Sequence, residues 1–391
     1  MNPKTKLTFI CPRYLTVQAG GAETYCRMLA EKCAQSGYAV ELLASCATDP
    51  QTWKNEGKER AFEKRDVSVR LFQANTRKNP SRFHELEVRI AEGDTLSQEE
   101  EAVWLENSLN SDSMMEYIQN SQSDYFIFMP YLFGIIINGV KIHPEKSVLI
   151  PCLHPENFSR LDCIRNLFKQ VPKILFNSPP EMELAQELYN LPDEKCFFVS
   201  VGFDGALAHD PDRFRKKYGL KRPFITYAGR REGGKNFPLL LEMVRLYQKM
   251  YPHTLDFVTF GSGHVEMLSQ DQGRIHDLGF LSEEDKFDCY SGALFNCQPS
   301  RNESFSIIIM ESWLCEVPVL VSQHGAVTSY WTRLSKGGFI FNDYFEFEQI
   351  LVYGLSHPDR LKEMGKNGKI FVENNFTWKI ILGRFREALG I

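Results

Sequence analysis

No Cys-x-x-Cys pair occurs in the sequence, although it holds ten cysteines. Many of them lie in apolar runs, so they read as reduced, buried small hydrophobes of a cytoplasmic protein, with neither a disulfide framework nor a structural zinc site. No stretch approaches 18 apolar residues, which excludes a membrane-spanning helix. The apolar run before Pro12 is too short for the core of a signal peptide. A basic excess is missing as well. Lys and Arg total 45 against 50 Asp and Glu, giving a net charge of −5 and a pI near 6.1. Nothing in that balance favours nucleic acid. Internal repeats and low-complexity segments are absent. So are the familiar phosphate motifs. Gly229 to Gly234 is followed by Lys235-Asn236, which breaks the Gly-x4-Gly-Lys-Ser/Thr pattern, and no Gly-x-Gly-x-x-Gly follows a strand. No Ser/His/Asp order with an elbow motif is evident.

What remains is a chain of 391 residues with 43% hydrophobic and 24% charged residues, ordinary for a globular protein and long enough for two domains. The first half alternates short apolar strands (Leu7 to Cys11, Ala39 to Ala44, Val67 to Phe72, Asp124 to Met129, Ser147 to Ile150, Lys173 to Phe176) with amphipathic helices. Pro12 to Gly21 is expected to be a loop. A helix from about Ala22 to Gln35 ends at the Ser36-Gly37 stop signal. Pro80 to Gln122 reads as acidic surface helices. From Val199 to Pro223 glycines, aspartates and the basic run Arg213 to Lys217 suggest a linker. A second α/β unit then begins at Phe224. Its strands are expected at Phe224 to Tyr227, Leu255 to Phe260, Ala293 to Cys297, Val317 to Val321 and Gly338 to Phe341. Three closing helices end at Leu389. Such alternation predicts an α/β protein with mostly parallel sheets covered on both faces. Two doubly wound domains are expected to leave a cleft, with ligands at the carboxyl ends of the strands.

Every candidate motif follows an expected strand. In Glu303-Ser304-Phe305-Ser306-Ile307-Ile308-Ile309-Met310-Glu311 two carboxylates flank an apolar run after a strand and the breaker Pro299-Ser300. A turn opening into a helix presents free amides that hold an anion, and carboxylates accept from hydroxyls, so the block suits a ligand that is part phosphate and part sugar. Glu303 is expected at the mouth of the cradle and Glu311 about two turns along. The plainer reading is an acid favoured near a helix start. Gly229-Arg230-Arg231-Glu232-Gly233-Gly234-Lys235 brings two cations to a glycine turn, as a diphosphate requires, or is a solvated basic loop. Gly20-Gly21-Ala22-Glu23 permits close approach of a phosphate to a helix start, while Glu23 alone also reads as a complement to the helix dipole. Gly261-Ser262-Gly263 is another strand-end turn. His154 stands at a strand end with Glu156 nearby; a lone histidine is as readily structural.

Together these blocks resemble the retaining glycosyltransferases of family 4, which have the GT-B fold of two Rossmann-like domains facing a central cleft. The match comprises Gly20 to Glu23, Pro151 to His154, Phe176-Asn177-Ser178, Gly229-Arg230-x4-Lys235, Gly261-x-Gly263, Pro299-Ser300-x2-Glu303 through Glu311, and Pro318-Val319-Leu320. It spans nearly the whole chain. It implies an N-terminal acceptor-side domain over 1–200, with 375–391 crossing back, and a donor-binding domain over 201–374. It implies that Glu303 holds donor-sugar hydroxyls and that Phe305, Ser306 and Ile307 offer backbone amides to sugar and phosphate. Glu311 would bind ribose hydroxyls. Arg230 and Lys235 would bind the diphosphate with help from the Gly21 amide, and His154 would contact the donor sugar near the reacting carbon. Gly20, Gly261 and Gly263 complete the implied donor site. The sequence departs from the family at Ser304 and Ser306, where Glu-Gly-Phe-Gly is common, and at Pro155, where related bacterial enzymes carry Asp. Ser306 thereby places a side chain where many members have none, with consequences for sugar choice.

The resemblance further implies transfer from a nucleoside-diphosphate sugar to a glycan, lipid-linked or other hydroxyl acceptor, in surface polysaccharide biosynthesis. No metal and no cofactor beyond the nucleotide sugar are implied, because the two cations neutralise the leaving group. The partners are donor and acceptor, without nucleic acid. The expected setting is the cytoplasm, with peripheral association at the inner face of the membrane as its alternative. Two rival readings stay open at this point: a nucleotide-sugar epimerase of the same fold, and a non-catalytic scaffold.

Overall fold

The computed structural model describes residues 4–15, 20–49, 52–205 and 208–391. The chain divides into two compact units, Met1–Val201 with Trp378–Ile391, and Gly202–Thr377.

In the first unit, in chain order, β1 (Lys6–Arg13) leads to α1 (Gly21–Gln35), β2 (Ala39–Ser45), β3 (Arg60–Lys64) and β4 (Val67–Phe72). Then come α2 (Pro80–Glu92), α3 (Gln98–Asn107), α4 (Asp112–Asn120), β5 (Tyr125–Phe128), α5 (Gly134–Gly139) and β6 (Ser147–Leu149). The series closes with α6 (Asp162–Gln170), β7 (Lys173–Phe176), α7 (Pro179–Tyr189) and β8 (Cys196–Phe198). The strands lie in the order β3-β4-β2-β1-β5-β6-β7-β8, parallel apart from the antiparallel β3–β4 pair. Phe9, Ile10, Leu42, Leu43, Phe126 and Phe128 are wholly buried, as expected of parallel strands covered on both faces. Chain order starts mid-sheet at β1 and moves outward both ways, so β1 and β5 flank the point where the winding reverses.

The second unit contains α8 (Pro211–Tyr218), β9 (Phe224–Ala228), α9 (Phe237–Met250), β10 (Asp256–Phe260), β11 (Ile275–Asp277), α10 (Glu283–Gly292) and β12 (Asn296–Gln298). It continues with α11 (Ile307–Leu314), β13 (Val319–Ser322), α12 (Ala326–Ser335), β14 (Gly338–Phe341), α13 (Tyr344–Ser356) and α14 (Pro358–Asn375). Its six strands are all parallel, in the order β11-β10-β9-β12-β13-β14, and the reversal lies between β9 and β12. Helix α15 (Trp378–Leu389) belongs to the first unit, where the Tyr125 hydroxyl donates to the Leu389 carbonyl at 2.8 Å.

Four expectations are corrected. The loop expected over Pro12 to Gly21 is strand at its start, because β1 continues through Pro12 to Arg13, where the register against β2 shifts between Ile10 and Arg13; residues 16–19 of that stretch lie outside the described residues. The stretch taken as a linker contains α8, whose Asp210 cap accepts from the Asp212 and Arg213 amides and whose end is turned by Gly219 at φ 70°. Strands β3, β8 and β11 were not expected. Finally, Cys152, Cys163 and Cys196 are only half-buried; all ten cysteines are free thiols. Among the described residues no helix is long and apolar enough to cross a membrane.

Candidate functional site

Ligands of doubly wound sheets bind where the winding reverses, beyond the carboxyl ends of the strands. In the second unit the loops at that point run from β9 to α9 and from β12 to α11, and they carry Arg230, Lys235, Glu303, Phe305 and Ser306, with Ile307 opening α11.

Glycine sets how closely these loops approach. Gly261, at φ 126°, lies so near the β9 turn that a Cβ there would stand 2.2 Å from the Gly229 carbonyl oxygen. A Cβ on Gly263 would sit 3.2 Å from backbone atoms of Arg231. Gly261 and Gly263 therefore shape the turn by their lack of a side chain. Arg231 locks the arrangement from beneath. Its guanidinium donates to the Gly261 and Gly263 carbonyls at 2.9 and 3.0 Å, and to Thr259 Oγ1 at 3.2 Å. It also pairs with Asp277, and its side chain is 1% exposed. Nothing local in Gly229-Arg230-Arg231 marks which of the two guanidinium groups turns inward.

Arg230 points the other way. Its side chain is 64% exposed and pairs with Glu232 at 3.2 Å, a surface pair of little energetic weight. Its carbonyl accepts from the Tyr227 hydroxyl at 2.6 Å, and burial raises the Tyr227 phenol so that it stays a donor. Lys235, at the end of a tight turn, reaches 68 residues along the chain: Nζ meets Glu303 Oε1 at 2.8 Å and the Asn302 carbonyl at 3.1 Å. The residues assigned by resemblance to diphosphate and to sugar are thus in contact, both half-buried. An ammonium has three donors, so Lys235 retains one for a further acceptor.

The helix start lies alongside. A Cβ on Gly229 would stand 3.7 Å from Ile308 Cδ1, which brings the cationic turn against the first turn of α11. Phe305 anchors the loop from within: it is 3% exposed, with its ring 5.4 Å from Phe376, 6.0 Å from Phe203 and 6.1 Å from Trp331. Ser306 caps the helix at φ 71° and ψ 78°, a left-handed conformation, without a side-chain cap bond. Ile307 is the first helical residue. Glu303 therefore lies in the loop, and Glu311 is just over one turn into α11, a correction to the expected two turns. Lys286 Nζ meets Glu311 Oε1 at 2.7 Å, and the Tyr290 hydroxyl reaches Oε2 at 3.4 Å. Lys286 went unrecognised because nothing local joins α10 to α11.

In the first unit Gly20 caps α1 with ordinary extended backbone, and Gly21 opens the helix into space where a Cβ would meet nothing within 4 Å. Glu23 is not free for a ligand. Its carboxylate takes the Gly20 amide at 2.8 Å and both arms of the Arg13 fork, at 2.5 and 2.9 Å. His154 follows β6; its Nδ1 lies 3.7 Å from Glu156 Oε2, and Glu156 accepts from the Tyr131 hydroxyl. The loop bearing His154 hangs on Glu181, whose carboxylate takes the Leu153 and Asn177 amides, each at 2.6 Å. Burial pushes the Glu181 carboxyl up to about 8, against the backbone donors that pull it down. The spacing Ser178-x-x-Glu181, the sequence form of a capping box, was the available signal for it.

A cavity of about 860 Å³ among α12, β14 and α14 is lined by none of these side chains. It lies beside the last strand of the sheet, away from the winding reversal.

Residues 210–371 match the family of glycosyl transferases group 1. The D-inositol 3-phosphate glycosyltransferase of Jonesia denitrificans is 25% identical over 256 residues, 60% of this chain and 60% of that protein. The chain thus aligns with less than two thirds of that relative's length. Among solved structures, a sucrose-phosphate synthase from Thermosynechococcus elongatus superposes with a TM-score of 0.75 at 16% identity, over 99% of both chains. Anabaena HepE, solved in complex with UDP and glucose, superposes with 0.68 at 16% identity, over 99% of both. The second unit thus matches the group 1 glycosyl transferases over residues 210–371, and the whole chain has the GT-B fold of its structural neighbours.

Proposed function

We propose that the chain is a retaining, metal-independent glycosyltransferase that moves a sugar from a nucleoside-diphosphate sugar to a hydroxyl acceptor. The observation that carries the reading is the Lys235–Glu303 contact beside the open start of α11, because it sets a phosphate-seeking cation, a hydroxyl-seeking carboxylate and free amides within one small region.

In this reading residues 202–377 hold the donor and the first unit serves the acceptor. Arg230 and the third donor of Lys235 take the diphosphate, Glu303 takes sugar hydroxyls and Glu311 the ribose. The anomeric C–O bond to the phosphate breaks, the acceptor oxygen bonds to the same carbon from the same face, and the acceptor's proton passes to the departing diphosphate. What the protein supplies is charge stabilisation at the leaving group, worth on the order of 10²–10³ in rate per well-placed contact. UDP is the first nucleotide to test, because HepE was solved with it. The acceptor class extends to glycans and lipid-linked sugars, and by resemblance to bacterial enzymes the setting is surface polysaccharide assembly, at or near the inner face of the membrane.

The test is thermal-shift screening against uridine, guanosine and adenosine diphosphate sugars, followed by turnover on hydroxyl acceptors. The expected outcome is stabilisation by one nucleotide class and a product whose anomeric proton keeps the donor's configuration. Activity is expected to survive a chelator. An inverted product, or consumption of donor without acceptor to give an epimer, would overturn the reading.

A further inference from the structure

Ser306 combines an unfavourable backbone with a hydroxyl unpartnered among the described residues. Its backbone is left-handed, at φ 71° and ψ 78°, a region that residues bearing a Cβ seldom occupy. The residue is 6% exposed, and its hydroxyl finds no hydrogen-bond partner among the described residues. A serine at this position of a helix ordinarily caps an amide of the first turn, and this one does not. The hydroxyl thus stands without a partner among the described residues at the start of the eight-residue helix α11, where the first amides have no acceptor within the helix. The cationic turn at Gly229 packs against that point through Ile308.

Donors without acceptors, a helix start and adjacent cations call for an oxygen that accepts several hydrogen bonds at once. A sugar hydroxyl accepts two at most. An anionic phosphate oxygen accepts more, and the helix start favours negative charge. We propose that the Ser306 hydroxyl itself, beyond its backbone amide, donates to a non-bridging oxygen of the distal phosphate of a nucleoside diphosphate. This rests on the nucleotide-sugar reading above and adds a determinant of affinity for the diphosphate. It gives the strained serine a function that glycine could not serve.

Calorimetry with UDP, GDP and ADP, and with the corresponding monophosphates, tests it on the full chain, comparing wild type with Ser306→Ala and Ser306→Gly. The expected result is a loss of about tenfold in diphosphate affinity in both variants, with monophosphate affinity within about twofold of wild type. Ser306→Gly is also expected to raise the melting temperature of the free protein, because it removes the strain and the unsatisfied hydroxyl together. Unchanged diphosphate affinity overturns the proposal while leaving the nucleotide-sugar reading intact. An equal loss for mono- and diphosphate also overturns it, since the hydroxyl would then not act on the distal phosphate. A wild type that binds none of the three diphosphates overturns the proposal and the reading beneath it.

Discussion

Two kinds of carboxylate stand near strand ends in this protein, and their partners differ in kind. In the first unit Glu23 is gripped by the planar fork of Arg13, and Glu181 by two backbone amides. Both acids are nearly inaccessible, 9% and 1% exposed. In the second unit Glu303 and Glu311 are each met by the ammonium of one lysine, and all four side chains remain in reach of solvent. A fork or a pair of amides fixes a carboxylate in direction and saturates it. A lysine is a point charge on a flexible stem and leaves lone pairs open. The first arrangement builds a loop; the second, in the function proposed above, leaves an acid able to exchange its lysine for a ligand. Motif spacing cannot make that distinction, since all four acids follow strands in much the same way.

The largest effect should come from the exchangeable side. Lys235→Ala is expected to lower turnover at saturating donor by about 10²-fold or more while the fold survives, because a leaving-group contact is lost along with a half-buried pair. Arg230→Ala is expected to match it in turnover, yet to shift stability by less than about 0.5 kcal/mol, since its ion pair is exposed. Steady-state kinetics paired with thermal unfolding checks both. Wild-type-like turnover in the two variants would remove the leaving-group role and leave the comparison without its functional half.

On the architectural side the expected signature is stability. Glu181→Gln sets an amide nitrogen against one of two backbone donors, at a cost of about 1–3 kcal/mol. A loss confined to turnover, with the melting temperature unchanged, would place Glu181 among the exchangeable acids instead. The pH profile sharpens this. The folded-state value of about 8 lies above the ordinary 4.5, so the folded chain keeps a proton that the unfolded chain gives up. The stability that this group contributes is full below about 4.5 and is lost as pH rises toward about 8. Wild-type melting temperature should therefore carry a downward component across that window, and Glu181→Gln, which does not titrate, should remove it.

How much of this was open to the sequence follows the same division between local and distant. The buried runs of β1, β5, β7 and β9 announce themselves, because a strand covered on both faces must be apolar throughout. β3 did not, since Arg60–Lys64 is a largely exposed, charged edge strand, and β8 and β11 are only three residues long. Helix α8 was legible but outweighed: Asp210, Pro211 and Gly219 are start and stop signals, overshadowed by the basic run between them. Glycines and cations at the turns could be found by position. Their partners could not. The contact of Lys235 with Glu303 spans 68 residues and that of Arg231 with Asp277 spans 46, and both depend on which strands become neighbours. Nor does sequence alone say that α11 begins at Ile307, since the left-handed turn at Ser306 delays it.

The smallest expected effect concerns the second exchangeable acid. If Glu311 accepts from a ribose hydroxyl, Glu311→Ala should weaken UDP by about tenfold, the worth of one charge-assisted hydrogen bond, and should erase any preference for UDP over its 2′,3′-dideoxy analogue. Lys286 acts through Glu311, which it meets at 2.7 Å, so it is a positioning residue. Removing it leaves the carboxylate in place but less well aimed, with the longer 3.4 Å contact from Tyr290 remaining. Lys286→Met should therefore cost about threefold in UDP affinity, keep a reduced ribose preference, and leave the dideoxy analogue unaffected. In a double variant the Lys286 effect should vanish, because there is no longer a carboxylate to aim. Additive losses would mean that Lys286 touches the nucleotide itself. An undiminished ribose preference in Glu311→Ala would return Glu311 to the architectural class and leave Glu303 as the sole exchangeable acid of this pair.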